Sequence, residues 1–223
     1  MTRVLLASGN PKKLAELERI LRHVQPDVEV VGLDAVAPYD EPAETEPTFE
    51  GNALLKARVG LAASGLATLA DDSGLCVDAL NGMPGVLSAR WSGTAKDDAA
   101  NNALLLAQLR DTPGHRRGAE FRCAVALCMP DGQEEIARGV MRGRIVEEPR
   151  GSAGFGYDSI FVPDAQPQGE LFTSAELSAE AKDAISHRGK SLRAIAPVLA
   201  RLLIAPLSAS RPNGSTRGPT RAS

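Results

Sequence analysis

The feature that most constrains the fold is an apolar run that ends in a tight polar turn and leads into a helical pattern. Residues 3–7 predict a short buried strand, and Ser8-Gly9-Asn10 predicts the turn that ends it. Pro11 then stands where a first helical residue is favoured, and Leu14 and Leu17 begin an apolar stripe with helical spacing. A strand, a tight turn and a helix are therefore expected in that order.

Strand and helix patterns alternate along the rest of the chain. Further strands are predicted at residues 28–31, 66–70, 121–129, 136–146 and 159–162, and further helices at 48–64, 97–109, 178–185 and 190–204. Thr48 is expected to cap the first of these helices and Gly65 to end it, with an apolar stripe of Leu54, Leu55, Val59 and Ala62. Pro130-Asp131-Gly132 predicts a hairpin.

A chain of 223 residues suits one large α/β domain or two intimate lobes. We predict a single two-lobed domain over residues 1–204. Residues 205–223 are rich in Ser, Arg, Pro, Gly and Thr, with little to bury, and are expected to form a disordered tail. No internal repeats occur.

Charge and cysteine content narrow the possible functions. The net charge is −3 and the Lys and Arg residues are scattered, which argues against a nucleic-acid surface. Three cysteines without a C-x-x-C pair argue against a disulfide framework and a zinc site, and favour a reducing compartment. Because no stretch approaches the ~20 apolar residues of a membrane span, we expect a cytoplasmic protein without membrane contact.

The turn Ser8 to Lys13 could bind an anion. Free amides at a helix N-terminus, a flexible Gly9 and the charge of Lys13 together favour a phosphate. The alternative is a capped turn with solvated lysines. The turn does not match a Walker A loop, which requires Gly-x-x-x-x-Gly-Lys-Ser/Thr.

Asp71-Asp72-Ser73-Gly74 follows the predicted strand 66–70. Adjacent carboxylates at a strand end repel each other unless a cation or hydrogen-bond donors neutralise them. Oxygen ligands without His or Cys favour Mg²⁺, and one carboxylate could also orient or deprotonate a water. The alternative is a surface turn in which both carboxylates are solvated.

Two further segments could recognise a flat ligand. In Phe155-Gly156-Tyr157-Asp158, an aromatic between glycines can stack on a ring and Asp158 can accept from a ring N–H. The alternative is an aromatic plug over the sheet edge. Ser186-His187-Arg188-Gly189 is expected in a loop between two helices, where His187 and Arg188 can donate to a carbonyl or phosphate. Lys182 lies one helical turn before Ser186.

Taken together, these segments resemble the inosine triphosphate pyrophosphatases, the Ham1/RdgB-like family that acts on noncanonical purine nucleoside triphosphates. The matching segments are Ser8-Gly9-Asn10 with Lys13, Thr48-Phe49 with Asn52-Ala53 and Lys56-Ala57-Arg58, Ala70 to Leu75, Pro84-Gly85 with Ser88-Ala89-Arg90, Phe155 to Asp158 with Ile160-Phe161, and Lys182 with Ile185 to Gly189. The resemblance runs from about Arg3 to Leu203.

The resemblance implies an α/β fold with a long twisted mixed β-sheet, helices packed around two lobes and a cleft between them. It implies a homodimer that hydrolyses ITP, dITP and XTP to the monophosphate and pyrophosphate with Mg²⁺. Asp72 would be general base and metal ligand, and Glu44 a second metal ligand. The implied substrate-binding residues are Ser8, Gly9, Asn10, Pro11, Lys12, Lys13, Lys56, Ser73, Phe155, Gly156, Tyr157, Asp158, Lys182, His187 and Arg188.

The chain departs from the family pattern at two positions. Gly51 stands where the family often has Glu, with Glu50 beside it, and Ser159 replaces the usual Pro. Two other functions stay open at this point. One is a Maf-like pyrophosphatase for pyrimidine or modified nucleotides, although those proteins begin with a Ser-rich, Arg-containing turn. The other is a catalytically silent nucleotide-binding protein, against which Asp71-Asp72 and Lys13 argue.

Overall fold

A six-stranded mixed β-sheet forms the centre of the protein in a computed structural model that describes residues 2–9, 14–15, 18–19, 28–93, 96–166, 169 and 171–204. The strands are β1 (Thr2–Leu6), β2 (Val28–Val31), β3 (Ala67–Val77), β4 (Gly118–Cys128), β5 (Glu134–Ile145) and β6 (Phe161–Pro163), in the spatial order β2-β1-β3-β4-β5-β6. β1 is parallel to β2 and β3, whereas β4, β5 and β6 each pair antiparallel with the preceding strand. The predicted hairpin between β4 and β5 is confirmed.

The helices whose bounds lie within the described residues are α1 (Phe49–Ser64), α2 (Asp98–Gln108), α3 (Ala179–Ile185) and α4 (His187–Ile204). Short 3₁₀ turns occupy Leu33–Ala35, Asp78–Leu80, Gly85–Arg90, Gly114–Arg116 and Asp158–Ile160. Of the helix predicted after Pro11, residues 14, 15, 18 and 19 are described and all four are helical. No helix in the described part of the chain combines the length and apolar character that crossing a membrane requires.

Helix α1 has the predicted ends but not the predicted buried face. The Thr48 hydroxyl accepts from the Gly51 N–H at 3.1 Å, and Gly65 ends the helix with φ of 70°. These are the contacts expected of an N-cap and of a left-handed C-cap. The buried face carries mainly small residues such as Ala53 and Ala57. Of the predicted apolar stripe, the two leucines and Val59 are only half-buried and Ala62 is exposed. Small side chains let the helix backbone approach the sheet closely.

Strand β3 is longer than predicted. It was expected to end at Ala70, yet it continues through Asp71, Asp72 and Ser73 to Val77. Each of these positions has a partner on β4, from Thr68 opposite Cys128 to Val77 opposite Ala119. The antiparallel ladder supplies hydrogen bonds along the whole stretch, so the turn-like composition of the segment does not end the strand.

The core lies on both faces of the sheet. Helix α4 packs on one face, where Leu192 and Leu199 join a cluster that includes Leu69 and Val125. Helix α1 packs on the other face, where Ala53, Ala57 and Phe49 meet Ala70, Ala124 and Ala126. A third cluster, containing Leu105, Tyr157 and Phe161, fills the end of the sheet near β6. The middle of β3 is therefore enclosed by helices on both sides.

Candidate active site

Asp71 and Asp72 point to opposite faces of β3, because successive side chains of a strand alternate. Asp72 faces α1: its Oδ1 lies 3.1 Å from Lys56 Nζ and its Oδ2 accepts from Asn52 Nδ2 at 3.2 Å. Asp71 faces α4, where Arg188 Nε donates to its Oδ2 at 3.3 Å. Each carboxylate thus has its own cation.

This geometry corrects two expectations. The two aspartates lie within β3 and not at a strand end, although cations and donors neutralise each of them as expected. The solvated surface turn is also wrong, because Asp71 and Asp72 are only 5% and 6% exposed. Carboxylates so deeply buried need partners, and the structure supplies them.

Lys56 joins Asp72 to the acidic loop before α1. Its Nζ donates to Glu44 Oε1 at 3.0 Å as well as to Asp72. Arg90, from the 3₁₀ turn that follows β3, donates to Glu44 Oε2 at 2.7 Å and to the Glu44 carbonyl at 3.3 Å. Asn52 ties down the same loop by accepting from the Glu46 N–H at 2.9 Å. The loop is therefore held over α1 at Glu44 and Glu46.

Burial and these charges move the pKa values of the group in different directions. Burial raises the pKa of Asp72, and Lys56 opposes the rise only in part. Burial also raises the pKa of Glu44, but Lys56 and Arg90 outweigh it and hold that pKa below its usual value. Burial lowers the pKa of Lys56, but Asp72, Asp71 and Glu44 outweigh it, so the ammonium form is favoured. Of these two carboxylates, Asp72 is the one whose affinity for a proton is raised by its surroundings.

Glu44 and Asp72 are the residues that could hold a metal ion. Their oxygen donors suit Mg²⁺, which is commonly bound by one or two carboxylates together with substrate phosphates and water. Both carboxylates reach the same Lys56 nitrogen, so a cation already bridges them. No group of three or more His, Cys, Asp or Glu side chains suited to a metal occurs among the described residues. The donor chemistry fits Mg²⁺ if phosphate and water complete the coordination.

On the other face of β3, Arg188 and Lys182 flank Phe155. Arg188 Nη2 donates to Ser73 Oγ at 3.1 Å, and its Cζ lies 5.7 Å from the centre of the Phe155 ring. Lys182 Nζ lies 5.1 Å from the same ring centre and 2.6 Å from Asp158 Oδ2. Five predicted binding residues are therefore brought together in one part of the site: Ser73, Phe155, Asp158, Lys182 and Arg188.

His187 begins helix α4 and does not lie in a loop, which corrects the prediction that this helix starts near Lys190. The Ser186 hydroxyl accepts from the Gly189 N–H at 2.9 Å, as an N-cap does, and this contact explains the earlier start. The His187 ring is buried and stacks on Phe121, with centres 4.9 Å apart and planes 10° apart. His187 and Arg188 are thereby fixed in the first turn of a long helix.

The loop that carries Phe155 is supported from the core. Tyr157 is buried and its hydroxyl donates to the Ser88 carbonyl at 2.8 Å, so its ring belongs to the core and only its backbone remains near the loop surface. The Gly156 N–H donates to Asp98 Oδ2 at 2.6 Å, and Asp158 Oδ2 accepts from the Phe155 N–H at 2.9 Å. Only Phe155 of the two aromatics can offer a ring to a ligand, and that role stays a prediction.

Strands β1 and β3 are parallel, and their pairing runs from Val4 opposite Ala67 to Leu6 opposite Leu69. Ser8, two residues beyond Leu6, therefore lies next to the aspartates that follow Leu69. The Ala7 N–H donates to the Leu69 carbonyl at 2.8 Å, which continues this pairing to the turn. A Cβ on Gly9 would lie 2.9 Å from Glu41 Oε1, so the turn also borders the acidic loop. Asn10, Pro11, Lys12 and Lys13 lie outside the described residues, and their phosphate-binding role stays a prediction.

Sequence reasoning did not assign site roles to Asn52 or Arg90, and it did not predict that Asp71 pairs with Arg188. Asn52 lies four residues before Lys56 on α1, so helical spacing alone could have placed it on the same face. Arg90 reaches Glu44 across 46 positions, and no local pattern signals that contact.

Glu50, beside the unusual Gly51, accepts from Arg138 at 2.5 Å. A Cβ on Gly51 would lie 2.7 Å from the Glu46 Cβ, so Glu46 takes the space that a larger residue at position 51 would enter.

Comparison with known proteins finds similar sequences over most of the chain. The model of the Ham1 family matches residues 4–198. A dITP/XTP pyrophosphatase of Nocardia farcinica is 62% identical over 203 residues, covering 91% of this chain and 97% of that protein. A dITP/XTP pyrophosphatase of Mycobacteroides abscessus is 56% identical, covering 90% of this chain and 96% of that protein.

Solved structures show the same fold. The crystal structure of a nucleoside-triphosphatase / dITP/XTP pyrophosphatase from Mycobacterium abscessus superposes with a TM-score of 0.71 at 57% identity, covering 89% of this chain and 99% of that one. The Staphylococcus aureus Ham1 protein superposes with a TM-score of 0.79 at 37% identity, covering 90% and 100%. The expected α/β fold with a mixed twisted sheet is thereby confirmed. The family match, the sequence identity and the shared fold together show that this chain belongs to the Ham1 family.

Proposed function

We propose that this protein hydrolyses the noncanonical purine nucleoside triphosphates ITP, dITP and XTP to the monophosphate and pyrophosphate, and so removes them from the nucleotide pool. The observation that carries the proposal is the buried Asp72 carboxylate, with its raised pKa, bound to Lys56 and beside Glu44. The names of the relatives, dITP/XTP pyrophosphatases at up to 62% identity, support the substrate class.

The reaction needs an in-line water and a stabilised leaving group. We assign Asp72 as the general base that takes a proton from the attacking water, because a carboxylate with raised pKa accepts a proton readily. Lys56 neutralises phosphate charge, as does the turn from Ser8 to Lys13. A Mg²⁺ ion held by Glu44 and Asp72 would supply further charge neutralisation for the triphosphate.

The nucleobase of the substrate would lie on the other side of β3 from Asp72, where Phe155, Lys182 and Arg188 meet. Inosine and xanthine carry a 6-oxo acceptor and an N1–H donor, whereas adenine carries a 6-amino donor and an N1 acceptor. Cationic donors therefore favour the first two bases, and a site built on hydrogen bonds rejects a mismatched ligand by as much as ~10⁴-fold. Buried Arg188 is well suited to contact the 6-oxo group.

Three further properties belong to the proposal. We infer Mg²⁺ dependence from the oxygen donors of Glu44 and Asp72, a homodimer from the family resemblance, and a cytoplasmic location from the cysteine pattern. Size-exclusion chromatography with light scattering tests the dimer, and turnover with and without EDTA tests the metal requirement.

A panel of nucleoside triphosphates scored for pyrophosphate release tests the proposed function. We expect ITP, dITP and XTP to be turned over far faster than ATP, with GTP intermediate or poor because its 2-amino group must be accommodated. Comparable kcat/KM values for ITP and ATP would contradict the proposal. Preferential turnover of UTP or dTTP would favour a Maf-like pyrophosphatase, and no turnover at all would favour a silent binding protein.

A further inference from the structure

Asp71, the partner of Arg188, has no role in the chemistry described so far. The two residues are 117 positions apart, on β3 and α4, and their side chains are 6% and 5% exposed. A buried guanidinium is costly to hold without a partner, and removing one member of such a pair leaves the other uncompensated. Asp71 therefore determines whether Arg188 can stay where it is.

The contacts of Arg188 fix the plane of its guanidinium and not only its position. Its Nε edge binds Asp71 and its Nη2 donates to Ser73, two positions further along the same face of β3. The Phe155 ring lies 5.7 Å from Cζ. A planar group held through two of its nitrogens presents its donors in one direction, which suits recognition of a single acceptor on a ring.

We propose that Asp71 is a positioning residue, which orients the Arg188 guanidinium toward the purine 6-oxo group and thereby sets the preference for ITP over ATP. This inference rests on the proposed function. Asp71 acts through Arg188 and does not touch the substrate, whereas Asp72 acts on the water on the opposite face of β3. Of the two adjacent carboxylates, Asp71 thus serves recognition of the nucleobase and Asp72 serves hydrolysis.

The test is a double-mutant cycle with Asp71→Asn, Arg188→Met and the two combined. kcat and KM are measured for ITP and ATP, together with binding of IMP and AMP by calorimetry. Since a hydrogen bond to a charged group is disrupted, Asp71→Asn should lower the ITP to ATP ratio of kcat/KM by about 10-fold or more, mainly through KM for ITP. In the Arg188→Met background the same change should have no further effect.

Asp78→Asn is the matched control. Asp78 follows β3 and pairs with Arg142 at the surface. Its substitution should therefore leave unchanged both the ITP to ATP ratio of kcat/KM and the ratio of IMP to AMP binding. If Asp71→Asn proves unstable, the double variant removes both buried charges, and its comparison with Arg188→Met alone still shows whether Asp71 acts without Arg188, which would overturn the inference.

Two results would overturn the inference. One is an Asp71→Asn effect on kcat with an unchanged ITP to ATP ratio. The other is an equally large effect with Arg188 present or absent, which would mean that Asp71 acts independently. A wild-type protein that does not hydrolyse ITP contradicts the proposed function instead, and the ratio of IMP to AMP binding still tests the positioning.

Discussion

Lys56 Nζ contacts both Glu44 and Asp72. We assign these two carboxylates to the metal ion, and Asp72 also to the attacking water. Lys56 Nζ lies 3.0 Å from Glu44 and 3.1 Å from Asp72, and its side chain is largely buried. Because the ammonium contacts Asp72, it opposes the rise in pKa that burial imposes on that residue. The charge of a single lysine therefore influences when Asp72 can act as a base.

The first prediction concerns Asp72 itself. Asp72→Asn should keep the fold, because the amide has nearly the same shape and still accepts through one oxygen, but should lower kcat by about 10² or more through loss of the base. Turnover of ITP at saturating Mg²⁺ measures the effect, and a thermal melt checks the fold. Asp131→Asn, in the exposed hairpin turn, is the control. Near-normal turnover by Asp72→Asn would exclude this residue as the base.

The second prediction concerns pH. The folded pKa of Asp72 is raised by burial, and Lys56 lowers it in part, so Lys56→Met should raise it further. Asp72 would then stay protonated to a higher pH, and the acid limb of kcat/KM against pH should move to higher pH. Lys190→Met is the control, since Lys190 Nζ donates to the Val140 carbonyl at the surface. An acid limb at unchanged or lower pH would contradict the assignment.

At the scale of elements, helix ends were easier to predict than burial. Thr48 and Gly65 mark the ends of α1 through local contacts that a sequence displays directly. The buried face of α1 was not predictable from apolar periodicity, because small residues meet the sheet there. The length of β3 depends on its pairing with β4, some 50 positions away. That pairing keeps Asp71 to Gly74 in the strand, although their composition is typical of a turn.

The third prediction concerns the packing of α4 on β5. A Cβ on Gly139 would lie 1.9 Å from the His187 carbonyl oxygen and 2.8 Å from the Ser191 nitrogen. Gly139→Ala must therefore push away the first turn of α4, which carries His187 and Arg188. We expect a loss of about 1–3 kcal/mol in the free energy of unfolding, and a lower kcat/KM for ITP.

Gly114→Ala is the control for this change. Nothing lies within 4 Å of a Cβ at Gly114. Both substitutions remove similar freedom from the unfolded chain, so the difference between them reports the contact with α4. Chemical denaturation gives both values. Equal stability of the two variants would show that β5 and α4 do not pack as closely as the structure has them.

At the scale of the whole molecule, the site forms where three distant parts of the chain meet on β3. The acidic loop and α1 cover one face of the strand, and α4 covers the other. The residue types at the site could be found from sequence, because motifs and family resemblance point to them. Their pairing could not, because Arg90 with Glu44 and Asp71 with Arg188 are contacts set by sheet order and helix placement.

The last prediction concerns residues 205–223, which lie outside the described residues. The family match ends at residue 198. The match to the Nocardia farcinica relative covers 97% of that protein but 91% of this chain. The segment from Ser208 to Ser223 contains no large apolar residue, so little burial can be lost with it. Its deletion should leave the melting temperature, turnover of ITP and oligomeric state unchanged within error.

Truncation before Leu199 is the contrasting case, because Leu199 is fully buried in the cluster under α4. That deletion should lower stability strongly, since a buried leucine and the end of the helix are lost. Thermal melts, the pyrophosphate-release assay and light scattering compare the two truncations with the full chain. A drop of more than about 2 °C on removing only Ser208 to Ser223 would mean that the segment packs on the body or on a partner subunit.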